Sequence, residues 1–122
     1  MAGAGNRSRR KGTEYEQRAA ELLEREGYQI LHRNFCSRFG EIDLVARQGD
    51  YLVFTEVKYR NSPAGGHPLE AVGRQKQRRI CKTAAYYCLR HGYGEDTPCR
   101  FDVVGILGEE TIHVEDAFPF QG

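Results

Sequence analysis

The chain has no stretch of about 18 consecutive apolar residues, the length a membrane-spanning helix needs, so no membrane span is expected. Nor does an apolar segment follow the basic N-terminus MAGAGNRSRRKG, which argues against a Sec-type signal peptide and for a cytoplasmic protein. The four cysteines, Cys36, Cys81, Cys88 and Cys99, form no C-x-x-C pair. Cys81 and Cys88 stand too far apart on one expected helix to bridge to each other, so free thiols are expected. His32, His67, His91 and His113 do not fall at zinc-ligand spacings. No internal repeat and no nucleophile elbow or Cys–His arrangement stands out, so serine and cysteine hydrolase chemistry fits poorly.

Charge of one sign is also scarce. Eighteen basic residues against seventeen acidic leave a net charge of +1, and composition alone does not announce a nucleic-acid binder. The distribution says more: NRSRRK at Asn6–Lys11 and RQKQRR at Arg74–Arg79 concentrate positive charge, and either is a solvated face or a nucleic-acid contact. The length of 122 residues suits one core. Residues 1–12 read as a disordered basic tail and 13–122 as a single domain.

Hydrophobic periodicity and turn residues give the order helix, three strands, helix, two strands. The first helix is expected from Thr13 to about Glu26, stopped by Gly27, and the strands over Tyr28–Arg33, Phe39–Arg47 and Tyr51–Arg60. NSPAGGHP, Asn61–Pro68, reads as a loop, followed by a helix from Leu69 to about His91. Cys99–Leu107 and Thr111–Glu115 complete the set. This is an α/β domain with a mixed central sheet of about five strands flanked by helices.

Charges inside the strands demand an explanation, because burying one without a partner is costly. In GEIDLVARQGDYLVFTEVKYR, Glu56 and Lys58 share one strand face, and pairing through the Gly49 turn can bring Asp43 opposite Glu56. Two like charges about 4 Å apart repel by about 4 kcal/mol at an effective dielectric near 20, and a divalent cation removes that penalty. Carboxylate oxygens suit Mg²⁺, which takes one or two of them and retains waters. Lys58 is positioned to orient an attacking water or to offset negative charge growing on phosphorus. On the first helix, Tyr15, Ala19, Leu22 and Leu23 form the buried stripe. Glu14 falls on the solvated side and Glu16 at the stripe's edge, from which it can point toward the sheet. On the second helix Lys76 lies near the middle of the apolar stripe of Leu69, Val72, Gly73, Ile80, Thr83, Ala84 and Tyr87. It either snorkels to water or reaches an acidic or phosphate-binding pocket.

These segments resemble the YraN family of small bacterial proteins, which looks like a branch of the PD-(D/E)-x-K, restriction-endonuclease-like nuclease superfamily. The matching stretches are GTEYEQRAAELLEREGYQIL, NFCSRFGEIDLVA, DYLVFTEVKYR, PLEAVGRQKQRR and CRFDVV, in that order. The resemblance implies an α-β-β-β-α-β core with the site at one end of the sheet. By it, Asp43 and Glu56 match metal-binding acids, Lys58 the motif lysine, and the Val57 carbonyl a further metal ligand. Glu16 matches a first-helix glutamate of related Holliday-junction resolvases, and Lys76 a second-helix position near the site. Arg60, Arg100 and Asp102 match recurrent positions, the last two without an assigned role. The nominal proline is absent, Ile42 preceding Asp43; proline supplies no ligand.

The expected function is Mg²⁺-dependent (or Mn²⁺-dependent) endonucleolytic hydrolysis of phosphodiester bonds in DNA, with branched or otherwise structured DNA in view. Arg60, Arg74, Lys76, Arg78 and Arg79 would form the nucleic-acid contact, and a homodimer would suit a branched substrate. The competing expectation is a nucleic-acid-binding or scaffolding protein that keeps the nuclease fold without efficient catalysis. A third is a protein-interaction domain whose charges are incidental.

Overall fold

A computed structural model describes residues 3–60 and 72–121, with side chains over 14–59 and 72–121. Helix α1 (Gly3–Arg25) is followed by β1 (Gln29–Ser37), β2 (Gly40–Gln48) and β3 (Tyr51–Arg60). Helix α2 (Arg74–Arg90), β4 (Cys99–Leu107) and β5 (Glu110–Val114) complete the chain. The five strands form one mixed sheet in the order β1-β2-β3-β4-β5. All neighbours are antiparallel except β3 and β4, which are parallel. A parallel pair needs a crossover, and α2 lies in it.

The helices cover opposite faces of the sheet. Val45, Phe54, Phe101 and Val103 form one core layer with Ile80, Cys81, Ala84 and Tyr87 of α2. Leu44, Ala46, Val53, Val104 and Ile106 form the other with Ala19, Ala20 and Leu23 of α1. Both faces of β2, β3 and β4 are therefore dry, which is why these strands read as nearly continuous apolar runs. Each large apolar side chain fully buried here contributes roughly 1.5–3 kcal/mol.

Local chemistry sets the boundaries. At the end of α1, Tyr28 N–H donates to Leu23 O at 2.9 Å and Gly27 N–H to Glu24 O at 3.0 Å. That pairing is a Schellman cap, and Gly27 takes the left-handed conformation it needs at φ 93°. Helix α1 begins at Gly3, upstream of Thr13, and the basic tail assigned to 1–12 falls on residues whose side chains lie outside the described set. Strand β1 runs to Ser37 rather than Arg33, because Phe35, Cys36 and Ser37 continue pairing with β2 past an irregularity between Ile30 and His32. Helix α2 starts at Arg74, not Leu69: Gly73 is its cap, extended at φ −76° and ψ 173°, with Val72 non-helical before it. Leu69 and the NSPAGGHP segment lie outside the described residues.

Candidate active site

The β2–β3 ladder runs from Gln48↔Tyr51 to Leu44↔Thr55, and just beyond it Asp43 lies near enough to Glu56 for that charge to act on it. At this point β2 changes its relation to the sheet. Ile42 packs with the α2-side core and Leu44 with the α1-side core, although residues two apart on a regular strand share a face. The ladder ends here, and the Val57 N–H donates instead to Asp43 Oδ2 at 2.8 Å. A side chain thus caps the backbone where two strands part.

Glu56 is buried on the α2 side, its side chain 6% exposed. Its Oε2 receives Lys58 Nζ at 3.2 Å and Lys76 Nζ at 2.5 Å. Lys76 therefore reaches the acid from the neighbouring helix instead of running along the apolar stripe to water. A carboxylate this dry needs such partners, since one left alone in the interior would shed its charge by taking up a proton.

The other carboxylates surround Asp43. Burial, then the charge of Glu56, raises its pKa to about 7, with Glu16 and Glu41 adding to the effect and the Val57 N–H opposing it. Burial and the adjacent Lys76 hold Lys58 below the usual lysine range, against the pull of Glu56. Lys76 moves the other way: burial works against its charge, but Glu56, Lys58 and Asp43 outweigh it and raise its pKa. Asp43 and Glu56 thus share a partly dry pocket with the ammonium groups of Lys58 and Lys76, with Glu16 and Glu41 near enough to bear on Asp43.

Glu16 enters from α1. It is half-buried, and Asn34 Nδ2 donates to its Oε1 at 2.8 Å. Tyr15, its neighbour, stacks on Tyr59 of β3 with ring centroids 3.8 Å apart and planes at 16°. That stack ties the start of the described part of α1 to the strand that carries Glu56 and Lys58. Neither Asn34 nor the Tyr15–Tyr59 stack was singled out from sequence. Asn34 has φ 54°, and Asn is the side chain besides glycine most at ease there, but a lone Asn between strand residues is a faint signal.

Arg74, Arg78 and Arg79 are exposed along α2, on the helix that delivers Lys76. The side chain of Arg60 lies outside the described residues. Arg100 and Asp102 do not join this group. Arg100 Nε and Nη2 donate to the two Asp102 oxygens at 2.9 and 3.0 Å, with His113 and Asp116 closing around the same carboxylate. They form a structural ion network under β4.

Among the described residues, no three His, Cys, Asp or Glu side chains come together as a metal cage. What Asp43 and Glu56 provide is a pair of carboxylates where the β2–β3 ladder ends, a number Mg²⁺ accepts when waters fill its remaining positions.

Fold and site together define an α/β protein with a mixed five-stranded sheet, consistent with a restriction-endonuclease-like core, whose acids and lysines gather where β2 and β3 diverge. The chain belongs to the family described as "Uncharacterised protein family UPF0102", whose model matches residues 15–106. It is 53% identical to a UPF0102 protein of Lachnoclostridium phytofermentans over 112 residues, covering 92% of this chain and 95% of the relative. A UPF0102 protein of Chromohalobacter salexigens is 46% identical, with 88% and 86% covered. UPF0102 protein STH1475 of Symbiobacterium thermophilum is 52% identical, with 81% and 83% covered. The match takes in Glu16, Asp43, Glu56, Lys58 and Lys76.

Proposed function

We propose that this protein is a Mg²⁺-dependent endonuclease that hydrolyses phosphodiester bonds in DNA, structured or branched DNA foremost. The observation that supports it most is the meeting of Asp43, Glu56, Lys58 and Lys76, with Glu16 beside them, at one end of the sheet. A surface ion pair would not need two strands and two helices to converge on a buried carboxylate.

Asp43, Glu56 and the Val57 carbonyl would hold the ion, Mn²⁺ serving in place of Mg²⁺. When bound, it acidifies a water and withdraws charge from a phosphoryl oxygen. Lys58, with an ammonium that gives up its proton more readily than an exposed one, orients the attacking water and offsets charge on the phosphoryl group. Lys76 holds the Glu56 carboxylate through its ion pair at 2.5 Å. Glu16, held by Asn34, adds negative charge on the α1 side that favours a cation. Arg74, Arg78 and Arg79 track the phosphate backbone from the exposed side of α2.

The test is incubation of the pure chain with labelled duplex, flap and four-way DNA, in Mg²⁺, Mn²⁺ or chelator. The expected result is metal-dependent cleavage that falls by at least about a hundredfold in Glu56→Gln and in Lys58→Ala, the scale of losing one transition-state contact. Cleavage that persists in both variants overturns the reading. Salt-sensitive DNA binding with no product replaces it with the binding or scaffolding function.

A further inference from the structure

Two of the four thiols stand together, far along the chain from the acids. Cys88 lies in the last turn of α2, and Cys99 opens β4. Both line one cavity of about 570 Å³, whose wall also includes Ala84, Leu89, Phe101 and Phe120. The Cys99 thiol donates to Thr97 O at 3.5 Å, and the two thiols stand near enough for each to perturb the other's ionisation. Cys99 is exposed and Cys88 half-buried, so reagents from solution reach the pair. Cys81 is buried and Cys36 sits beside Glu41, whose carboxylate opposes thiolate formation.

The pair is polarised. Contact with Cys88 pulls the Cys99 thiol below its ordinary pKa despite burial, while contact with Cys99 and burial push Cys88 well above it. Cys99, the more exposed of the two, meets a reagent from solution first, and Cys88 is the thiol that follows. A metal is the poorer use of the pair, because zinc wants four ligands and no third side chain joins these two among the described residues.

We propose that Cys88 and Cys99 form a reversible disulfide by exchange with low-molecular-weight disulfides, a covalent staple between the end of α2 and the start of β4. The Cys99 thiolate attacks one sulfur of the small disulfide and expels the other half as a thiolate, leaving a mixed disulfide on Cys99. Cys88 gives up its proton and attacks the Cys99 sulfur, displacing the second small thiol. Two protein thiols are oxidised to one S–S bond, and one small disulfide is reduced to two thiols. The staple closes the loop over residues 89–98 and narrows the freedom of the unfolded chain. It stands apart from the nuclease reading and uses none of its residues.

The experiment treats the full reduced chain with glutathione disulfide at graded ratios to glutathione, alkylates what remains, and reads intact mass and tryptic peptides. The expected product has lost two hydrogen atoms, with peptide 83–90 joined to peptide 91–100. The Cys36→Ser, Cys81→Ser double variant gives the same product. Cys88→Ser stops with one glutathione retained on Cys99, because the second thiol is gone. Thermal unfolding moves to higher temperature on oxidation in the wild type and in the Cys36→Ser, Cys81→Ser variant, and does not in Cys88→Ser. Glutathione adducts that persist on both Cys88 and Cys99, or a link through Cys36 or Cys81, overturn the proposal.

Discussion

Thr55 pays a cost at the scale of one atom: it is fully buried in β3, and its Oγ1 has no hydrogen-bond partner among the described residues. Replacing the hydroxyl by a methyl of similar shape removes an unsatisfied polar group, so Thr55→Val is expected to stabilise the chain by about 1 kcal/mol. Urea unfolding measures it. Asp43 gives a second prediction, with a definite sign. Its pKa is raised to about 7, so the stability tied to its protonated form is whole below 3.8 and is lost as pH rises through about 7. Asp43→Asn keeps an acceptor for the Val57 N–H and drops the charge. In chelator at about pH 8 it should be more stable than wild type by about 1–3 kcal/mol, and at about pH 4 the gap should close. Saturating Mg²⁺ at the higher pH should stabilise the wild type and leave the variant unmoved. Glu16 was legible at this scale, since 100° per residue separates it from the solvated Glu14. Lys76 was half legible: its place on an apolar stripe was visible, but whether it ran to water or to an acid depended on a partner from another strand.

The elements are tied together by a network that no single segment announces. Asp102 of β4 binds Arg100, the Asp116 N–H and His113 of β5, while His113 Nδ1 meets Glu26 Oε1 at 2.6 Å beyond the end of α1. Arg100 also reaches the Tyr28 hydroxyl at the head of β1 and Gln48 at the end of β2. Burial lowers His113's affinity for its proton, but Asp102 and Glu26 raise it further, so its folded pKa lies above 6.5. Its contribution is therefore complete below 6.5 and fades as pH rises through the folded value. Asp102 runs the other way: burial is outweighed by His113, Arg100 and the Asp116 N–H, its pKa lies below 3.8, and its contribution fades as pH falls through that lower value. Wild type minus His113→Gln stability, by urea at about pH 5.5 and about pH 8.5, is expected to shrink at the higher pH. Arg100→Met, which leaves Asp102 buried with a partner missing, should cost about 3–5 kcal/mol. The central strands were readable because their nearly continuous apolar runs are bounded by turn residues, Gly49 among them. The start of α2 was not, since the apolar pattern continues through Val72 while Gly73 breaks the helix only by its backbone angles.

Across the whole molecule, a small net charge hides an uneven surface. Arg74, Arg78 and Arg79 are exposed on one helix, and each phosphate contact they make should appear as salt sensitivity. Changing any one to Ala should lower DNA affinity and reduce the slope of log affinity against log salt by about 1, measured by fluorescence anisotropy across a salt series. The placement of both helices was legible from their apolar stripes, whereas the meeting of Asp43 with Glu56 required the register of a hairpin whose ladder ends at the site.

The like direction of β3 and β4 has a consequence for synthesis. Glu56 and Lys58 ride on a strand whose Leu52–Arg60 stretch pairs with Cys99–Leu107, each partner 47 residues later. Until the ribosome has released that later segment, β3 presents an unpaired rim of backbone donors and acceptors. A nascent chain stalled short of β4 would offer a sticky ribbon to any neighbour, and the pocket's acids would have no finished wall to rest on.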